Sequence, residues 1–535
     1  MDTRKVRTVS STSSTNEYDN PGFDYASEGN LSKTNRAVSI EVADDLQFVR
    51  NPLATDSISD NKQLHNVADF TQEVSGSSST GQKHPLSGIS RMYLAALVVL
   101  LFAVCMGITG TWSATATMDM QKRHSSIHPS PDEVTWIGSL MTIGALIGGG
   151  AAGYFTNSLG RKGTLILNTV PFVIGWLFIA YTDSVGLIFA GRIVTGFCSG
   201  VVSVATPMYL VEISTPEVRG LLGASFQLFV VIGILIMSLL GSGLTWRYSA
   251  ISGAFFSLLA AFLMVLMPES PRWLMTQKRR GEAKNALIFL QGKNYDAETD
   301  CRQMEAEIQA QPKGGVNIRE FLVPTVYKPF GLSILLMLFQ QFSGVNAVMF
   351  YTVQIFESAG STMDPLLATI LVATVQVIAT MISSVLMDRA GRKPLLMISG
   401  VCMAVSLIVF GGFDLARTND ASVVKTLGWL PLVCLMSYVS AFSIGFGPTP
   451  WLMVAEMTPP RFRSVVSGVA TALNWTFAFT VTKSFQAEVE AMHSYGVYWM
   501  YASFCLLSLF MTYFLVPETK GKDEEEIRDF FLSKK

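Results

Sequence analysis

Long apolar stretches recur along most of this 535-residue chain. Between Met92 and Val516 they are each about 20 residues or longer, enough to cross roughly 30 Å of hydrocarbon as a helix. Because they are continuously apolar, they exclude a membrane β-barrel, whose strands alternate. The pattern predicts an all-α polytopic membrane protein with twelve spans, at 93–116, 134–156, 163–182, 186–210, 220–243, 247–267, 329–354, 366–387, 393–414, 427–455, 463–484 and 495–516.

Residues 1–91 do not share this pattern and are rich in Ser, Thr, Asn and Asp. Such a segment cannot bury enough apolar surface to offset its chain entropy, so a disordered cytoplasmic tail is predicted. No basic segment followed by an apolar core stands at Met1, so no cleavable signal peptide is expected.

A polar segment, residues 268–328, divides the spans six and six. It contains ten Lys and Arg residues, so the positive-inside rule predicts that it is cytoplasmic. An even number of spans then places both termini in the cytoplasm, although Lys122 and Arg123 lie in a link on the other side. The predicted domains are a tail (1–91), a six-helix bundle (92–267), a linker with short helices at 282–290 and 297–310 (268–328), a second six-helix bundle (329–516) and a C-terminal tail (517–535).

Composition and residue spacing argue against several classes of function. Charged residues make up 15% of the chain, and its net charge of −1 argues against a nucleic-acid partner. The six cysteines show no Cys-x-x-Cys or Cys/His spacing, so neither a disulfide framework nor a metal site is predicted, and no cofactor is expected. No His/Asp/Glu or Cys/His cluster is assembled in the spans, and the five histidines lie outside or at the edge of them. An enzyme is therefore not expected.

The two halves repeat one another. Gly160-Arg161-Lys162 joins spans 2 and 3, and Gly391-Arg392-Lys393 joins spans 8 and 9. The other repeated pairs are Glu212 with Glu456, Arg219 with Arg463, and Glu269 with Glu518. Two homologous six-helix bundles are how the major facilitator transporters are built, whereas an enzyme or channel gives no reason for this recurrence.

At these motifs the chain resembles the sugar porters of the major facilitator superfamily, from about Met92 to Lys522. The run from Asn346 to Phe356 is most similar to insect facilitated trehalose transporters and related facilitative glucose transporters. The matching motifs are Asn157-Ser158-Leu159-Gly160-Arg161-Lys162, Gly191-Arg192, Pro207-Met208-Tyr209, Arg219-Gly220, Pro268-Glu269-Ser270-Pro271-Arg272, Gln340-Gln341-Phe342-Ser343-Gly344-Val345-Asn346, Asp388-Arg389-Ala390-Gly391-Arg392-Lys393 and Pro517-Glu518-Thr519-Lys520-Gly521.

A pyranose presents hydroxyls that donate and accept, and apolar C–H faces, so its site needs neutral amides and an aromatic surface. The resemblance implies that the matching positions bind the sugar. The alternative is that these amides join helices within the membrane. Gln341 and Asn346 are five residues apart, and a helix break near Ser343-Gly344 would bring both to one cavity. The candidate substrate-binding residues are Gln227, Gln340, Gln341, Asn346, Gln376, Trp451 and Asn474.

The resemblance also implies a cytoplasmic network of ion pairs that latches the outward-open state. Arginine at helix ends is explained equally by topology, but the positive-inside rule gives glutamate little weight, so the repeated glutamates favour the latch. Its candidate residues are Arg161, Glu212, Arg219, Glu269, Arg392, Glu456, Arg463 and Glu518.

Glycine and proline predict two further features. Gly148, Gly149, Gly150, Gly153, Gly196 and Gly200 are expected to let helices approach closely. Gly447, Pro448 and Pro450 predict a break in span 10.

Cargo and energy source are the remaining questions. Met337, Phe350, Gln376 and Ser443 depart from the pattern of the glucose carriers, which predicts an altered sugar preference. Proton-coupled members carry an Asp in span 1 that pairs with the residue matching Arg192. Span 1 here has no carboxylate, so facilitated diffusion is expected.

The favoured function is a facilitative carrier of trehalose or a hexose such as glucose, which works by alternating access as a monomer in the lipid bilayer of the cell membrane. The alternatives are a non-transporting sugar sensor on the same fold, a polyol carrier, and an internal membrane as the location.

Overall fold

The structure is a computed structural model that describes residues 86–122, 125–215, 217–310, 318–360, 363–420, 422–459 and 461–533. Residues 1–85 of the predicted tail lie outside the described residues. The first six helices are α1 (Leu86–Met120), α2 (Pro131–Leu159), α3 (Arg161–Ala180), α4 (Val185–Ile213), α5 (Arg219–Gly243) and α6 (Trp246–Val265). Helix α1 begins at Leu86, inside the segment predicted as tail.

The described residues of the linker, 268–310 and 318–328, contain three helices and a 3-10 turn, and the chain that follows is again helical. The linker elements are α7 (Pro271–Thr276), α8 (Arg280–Gln291), α9 (Ala297–Ala310) and the 3-10 turn Ile318–Leu322. The later helices are α10 (Pro324–Phe342), α11 (Val345–Phe350), α12 (Thr352–Ser358), α13 (Pro365–Ala390), α14 (Arg392–Asn419), α15 (Val423–Leu427), α16 (Leu430–Ile444), α17 (Thr449–Met457), α18 (Arg463–Leu515) and α19 (Glu524–Ser533).

Among the described residues, 11 helical segments are long and apolar enough to cross a membrane. The last of them, α18, has 53 residues and would be about 80 Å long at 1.5 Å per residue, far more than one bilayer. At His493 the backbone leaves the helical region (φ 60, ψ 163), which divides α18 into two crossings. The prediction of twelve spans is therefore confirmed.

The predicted interruptions of spans 7 and 10 are present. Helix α10 ends at Phe342, and Gly344 adopts the left-handed conformation at φ +88 before α11 begins. A side chain at this position would be strained and would meet the ring of Tyr501, so only glycine fits there. Span 10 is interrupted between Ile444 and Thr449.

Glycines bring α2 and α4 into close contact. A Cβ atom at Gly148, Gly196 or Gly200 would overlap the backbone of the facing helix, so these three predictions of close packing are confirmed. The same prediction is wrong for Gly150 and Gly153, where a Cβ would have no neighbour within 4 Å among the described residues. Those two glycines lie on the part of α2 that does not face α4.

Two large hydrophobic clusters form the interior. One is built from α1 to α6 and contains the edge-to-face pair Trp112 and Trp176, whose ring centroids are 6.1 Å apart. The other is built mainly from α10 to α19 and contains Phe410 stacked on Tyr498 at 4.3 Å. Each of these buried aromatic pairs adds about 0.5–1.5 kcal/mol beyond the area it buries.

The predicted linker helices are confirmed as α8 and α9. They pack with α7 around a cluster that includes Trp273, Leu287 and Cys301. Arg91, near the start of α1, lies 5.8 Å from the ring centroid of Phe289 in α8. We call the side of the bundle that carries α7–α9 the linker face and the other side the opposite face.

Candidate functional site

Four amide side chains form one hydrogen-bonded chain at the break in span 7. Asn346 Nδ2 donates to Gln341 Oε1 (2.5 Å), and Gln341 Nε2 donates to Asn474 Oδ1 (3.1 Å). Asn474 Nδ2 in turn donates to Gln340 Oε1 (2.8 Å) and contacts Met337 Sδ (3.3 Å). The break at Gly344 makes the first of these bonds possible, because residues five apart on a straight helix point in different directions.

The members of this amide chain differ in how many of their hydrogen-bonding groups are already engaged. Gln340 Nε2 donates to the carbonyl oxygens of Phe446 (2.8 Å) and Gly447 (2.9 Å), so both of its N–H bonds are occupied. Those carbonyls are exposed by the break in span 10, and Gln340 therefore joins the two broken spans. Asn346 is only partly buried, and in the part of the chain that the structure describes its carbonyl oxygen and second N–H have no partner and are available to a ligand.

Three predicted site residues lie apart from the amide chain. Gln376 is 3% exposed, and its Oε1 has no hydrogen-bond partner within the described part of the chain. A buried acceptor without a partner costs about 1–3 kcal/mol, which a ligand hydroxyl would recover. Gln227 is partly buried and Trp451 is 39% exposed. The structure thus brings four of the seven candidates into direct contact.

One aromatic residue next to the amide chain was missed by the sequence analysis. Trp475 follows Asn474, and its Nε1 is buried without a hydrogen-bond partner in the described residues. The signal was available, because a tryptophan beside an amide inside a span supplies both an apolar surface and a free donor. Met337, considered only as a departure from the glucose carriers, contacts Asn474 directly.

Arg192 is fully buried in α4 and makes no ion pair with a carboxylate of the described residues. Its Nε donates to the carbonyl of Ile137 (2.8 Å) and its Nη1 to that of Thr109 (2.7 Å). The guanidinium carbon lies 5.6 Å from the ring centroid of Trp112. Charge-assisted hydrogen bonds and the aromatic face stabilise the cation, whereas its buried Nη2 has no hydrogen-bond partner among the described residues.

The linker face of the first half contains a buried ion pair. Arg161 Nη2 lies 2.7 Å from Glu212 Oε1, and both side chains are about one-tenth exposed. Glu269 does not bind an arginine side chain of the described residues. Its carboxylate accepts hydrogen bonds from the backbone N–H groups of Arg161 and Lys162, each at 3.0 Å. A carboxylate there stabilises the positive N-terminal end of α3.

The second half repeats this arrangement. Arg392 Nη2 lies 2.9 Å from Glu456 Oε1, and Glu518 accepts from the backbone N–H groups of Arg392 and Lys393, each at 3.0 Å. Partial burial opposes ionisation of Glu518, but hydrogen bonds from backbone N–H groups outweigh it and lower the pKa of this carboxyl. The repeat seen in the sequence is therefore also a repeat of contacts.

The other two candidate latch arginines, Arg219 and Arg463, are equivalent in the repeat but differ in their contacts. Arg463 lies 3.5 Å from Glu524 in α19, not beside Glu456 or Glu518. Arg219 is exposed at the first residue of α5, without an ion pair in the described part of the chain. The glutamates and arginines that do meet belong to the same half in each case.

Comparison with known proteins identifies the family. A family model described as sugar (and other) transporter matches residues 93–531. The chain belongs to this family. It is a multi-pass membrane protein with the major facilitator fold, and the prediction that it is not an enzyme is confirmed by the family and its relatives.

Its curated relatives include facilitated trehalose transporters. The Tret1 protein of Drosophila mojavensis is 41% identical over 437 residues, which are 81% of this chain and 50% of the relative. The Tret1 protein of Bombyx mori is 40% identical over 481 residues, which are 90% of this chain and 93% of the relative. The chain spans about half the length of the Drosophila relatives it matches.

Solved structures with the same fold include a proton:xylose symporter, XylE, bound to 6-bromo-6-deoxy-D-glucose. That structure has a TM-score of 0.68 and 25% identity, and covers 83% of this chain and 99% of its own. The inward open conformation of the xylose transporter XylE from E. coli also has a TM-score of 0.68, at 24% identity, and covers 82% of this chain and 99% of its own.

Proposed function

We propose that this chain is a facilitative sugar transporter that carries trehalose, or a hexose such as glucose, by alternating access. The observation that carries the proposal is the chain of four amides from Asn346 to Gln340 at the break of span 7. Neutral amides donate to and accept from hydroxyls without leaving a charge in the membrane.

The candidate substrate site consists of these four amides together with Gln227, Gln376 and Trp451. Among the described residues, Asn346 has hydrogen-bonding groups without a partner, and Gln376 has a buried acceptor without one. Trp475, adjacent to Asn474, supplies an aromatic surface for the apolar face of a sugar ring. Gln340 acts mainly by holding Asn474 in place, because its own donors are engaged by span 10.

Two considerations support trehalose as cargo and uniport as mechanism. Relatives at about 40% identity are named as facilitated trehalose transporters. Arg192 donates to the carbonyls of Ile137 and Thr109, and within the described ranges it forms no ion pair with a carboxylate that would take up or release a proton.

The charged groups of the linker face form the proposed conformational latch. Arg161, Glu212 and Glu269 stabilise one half, and Arg392, Glu456 and Glu518 the other, with Arg219 and Arg463 as further members. We place this face and both termini in the cytoplasm, the division between bundles at residues 268–328, and the monomeric protein in the cell membrane.

The test is uptake of radiolabelled trehalose, glucose and a polyol by oocytes that express the chain, with surface expression measured in parallel. Saturable trehalose uptake that is unaffected by a protonophore is the expected result. Uptake of glucose alone would retain the mechanism and change the cargo. No flux of any of the three, with protein at the surface, would contradict transport and favour the sugar sensor.

A further inference from the structure

Hydrogen bonds join the two halves of the protein on the opposite face. Lys483 of α18 donates from Nζ to Asp132 Oδ1 (2.6 Å) and to Thr135 Oγ1 (2.8 Å), both in the first turns of α2. The same Nζ lies 4.4 Å from the ring centroid of Trp136. Asp132 and Lys483 are 351 residues apart in the chain.

We propose that Lys483 is a gating residue, whose contacts with Asp132, Thr135 and Trp136 hold the two halves together on the opposite face and separate during each transport cycle. The inference rests on the proposed transport function. It assigns to this side of the protein a conformational lock that differs in kind from the repeated ion pairs of the linker face.

Helix geometry explains how one lysine meets three partners. Arg463 begins α18 at the linker face, and twenty residues of helix rise about 30 Å, which brings Lys483 to the opposite face. Asp132, Thr135 and Trp136 are three and four residues apart, so they lie on one side of α2. Phe479 precedes Lys483 by four residues and packs on Trp136, with ring centroids 6.3 Å apart.

A second contact between the halves lies beside the first. Gln354 Nε2 in α12 donates to Thr117 Oγ1 in α1 (3.1 Å). A Cβ on Gly138 of α2 would lie 3.2 Å from the hydroxyl oxygen of Tyr351. The short helices that follow the break in span 7 therefore belong to the same contact surface as Lys483.

This surface is connected to the candidate substrate site. Tyr351 donates its hydroxyl to the carbonyl of Thr482 (3.0 Å), the residue before Lys483, and stacks on Phe485 at 5.1 Å. Tyr351 directly follows α11, the short helix that contains Asn346. A sugar that moves Asn346 therefore also moves Tyr351, which is hydrogen-bonded to the backbone next to Lys483.

The strength of the contact suits a gate that opens repeatedly. The Lys483 side chain is 25% exposed and that of Asp132 is 76% exposed, so water screens the ion pair. The face of Trp136 adds an attraction that does not depend on Asp132. Together they bias the equilibrium between joined and separated halves by about three- to tenfold, which substrate binding is able to reverse.

The experiment measures the distance between the halves without requiring transport. Spin labels are attached to cysteines introduced at Tyr181 and Ala487, which are exposed near the opposite face in different halves. The full chain is reconstituted in nanodiscs, and pulsed electron resonance gives the distance distribution. The chain without the introduced cysteines corrects for labelling of native cysteines.

Lys483→Met is expected to shift the ratio of separated to joined populations about three- to tenfold towards the separated state. Asp132→Asn is expected to shift it less, because Trp136 is retained, and Lys483→Arg to leave it near wild type. The matched control is Lys122→Met, since Lys122 pairs with Asp119 of its own half at 3.0 Å on the same face.

An unchanged distribution in Lys483→Met, or an equal shift in Lys122→Met, would overturn the gate. Uptake measured on the same variants separates the two proposals. A distance shift in a protein that moves no sugar retains the gate and rejects transport. Normal transport with no distance shift retains the transport function and rejects the gate.

Discussion

The two halves of the protein share their chemistry at the linker face and differ inside their helix bundles. Each half pairs one arginine with one glutamate and covers the start of a helix with a second glutamate. Inside the bundles, the first half holds the buried cation Arg192 on backbone carbonyls, whereas the second contains broken helices and the chain of amides. Contacts that both halves need have been kept in both, and the polar groups suited to a sugar are concentrated in one.

The largest expected effect tests the helix break in span 7, a feature that distinguishes the second half from the first. Gly344→Ala should lower uptake about 100-fold, because the left-handed backbone disfavours any side chain and the new Cβ would overlap the ring of Tyr501. Gly331→Ala is the matched control in the same span, since its Cβ would have no neighbour within 4 Å among the described residues. Similar uptake by the two variants would show that the break is not required.

The next effect separates substrate-site amides from structural ones. Asn474→Leu leaves Gln340 Oε1 and the Gln341 N–H without their partner, and should weaken sugar affinity about tenfold. Asn168→Leu is the comparison in the first half, where the amide donates to the carbonyl of Cys198 (3.0 Å) and to no other described residue. Concentration dependence of uptake should show a raised KM for the first variant alone. An equal rise in KM in both variants would mean that the amides of the second half join helices and do not bind the sugar.

A smaller effect tests whether the shared contacts are equivalent. Glu269→Gln and Glu518→Gln should each lower uptake about threefold and lower the melting temperature by similar amounts, because each removes a negative charge from a helix start. Melting in detergent and uptake in oocytes measure the two effects. A large loss in one half only would contradict the equivalence.

The same pair of variants gives a pH dependence for the second half. The lowered pKa of Glu518 means that its contribution to stability is present above the ordinary carboxyl range and is lost as pH falls through the lowered value. The difference in melting temperature between wild type and Glu518→Gln should therefore persist at about pH 5 and vanish in stronger acid. A difference that vanishes near neutral pH would contradict this assignment.

The smallest effect concerns the pair of arginines that differ between halves. Arg219→Ala should slow uptake about twofold without changing insertion, since Arg219 is exposed and has no ion pair in the described residues. Arg463→Ala should slow it somewhat more, because Arg463 lies near Glu524. Surface labelling measures insertion of each variant, and uptake on the same samples shows which of the two variants is slower.

The sequence was sufficient to predict features set by local patterns. The twelve spans follow from apolar length, and the break at Gly344 follows from glycine beside two amides that a straight helix would separate. The equivalence of the Arg161–Glu212 contact and the Arg392–Glu456 contact follows from the repeat, although the repeat does not say which glutamate meets which arginine. These features depend on short segments or on symmetry between segments.

Other features depend on tertiary geometry that no local pattern encodes. No motif indicates that Glu269 and Glu518 bind backbone N–H groups, because those contacts depend on how the last residues of spans 6 and 12 approach α3 and α14. The engagement of Gln340 by the carbonyls of Phe446 and Gly447 requires two breaks at the same depth. The pairing of Lys483 with Asp132 requires the register of two helices from different halves.

The central claim is that this chain moves a sugar down its gradient through the amide site without a coupled proton. The most direct test is uptake of radiolabelled trehalose by proteoliposomes that contain the purified full chain, with and without an imposed pH gradient. The account predicts that internal sugar rises to the external concentration and stops there in both conditions. Accumulation above the external concentration that depends on the pH gradient would contradict it.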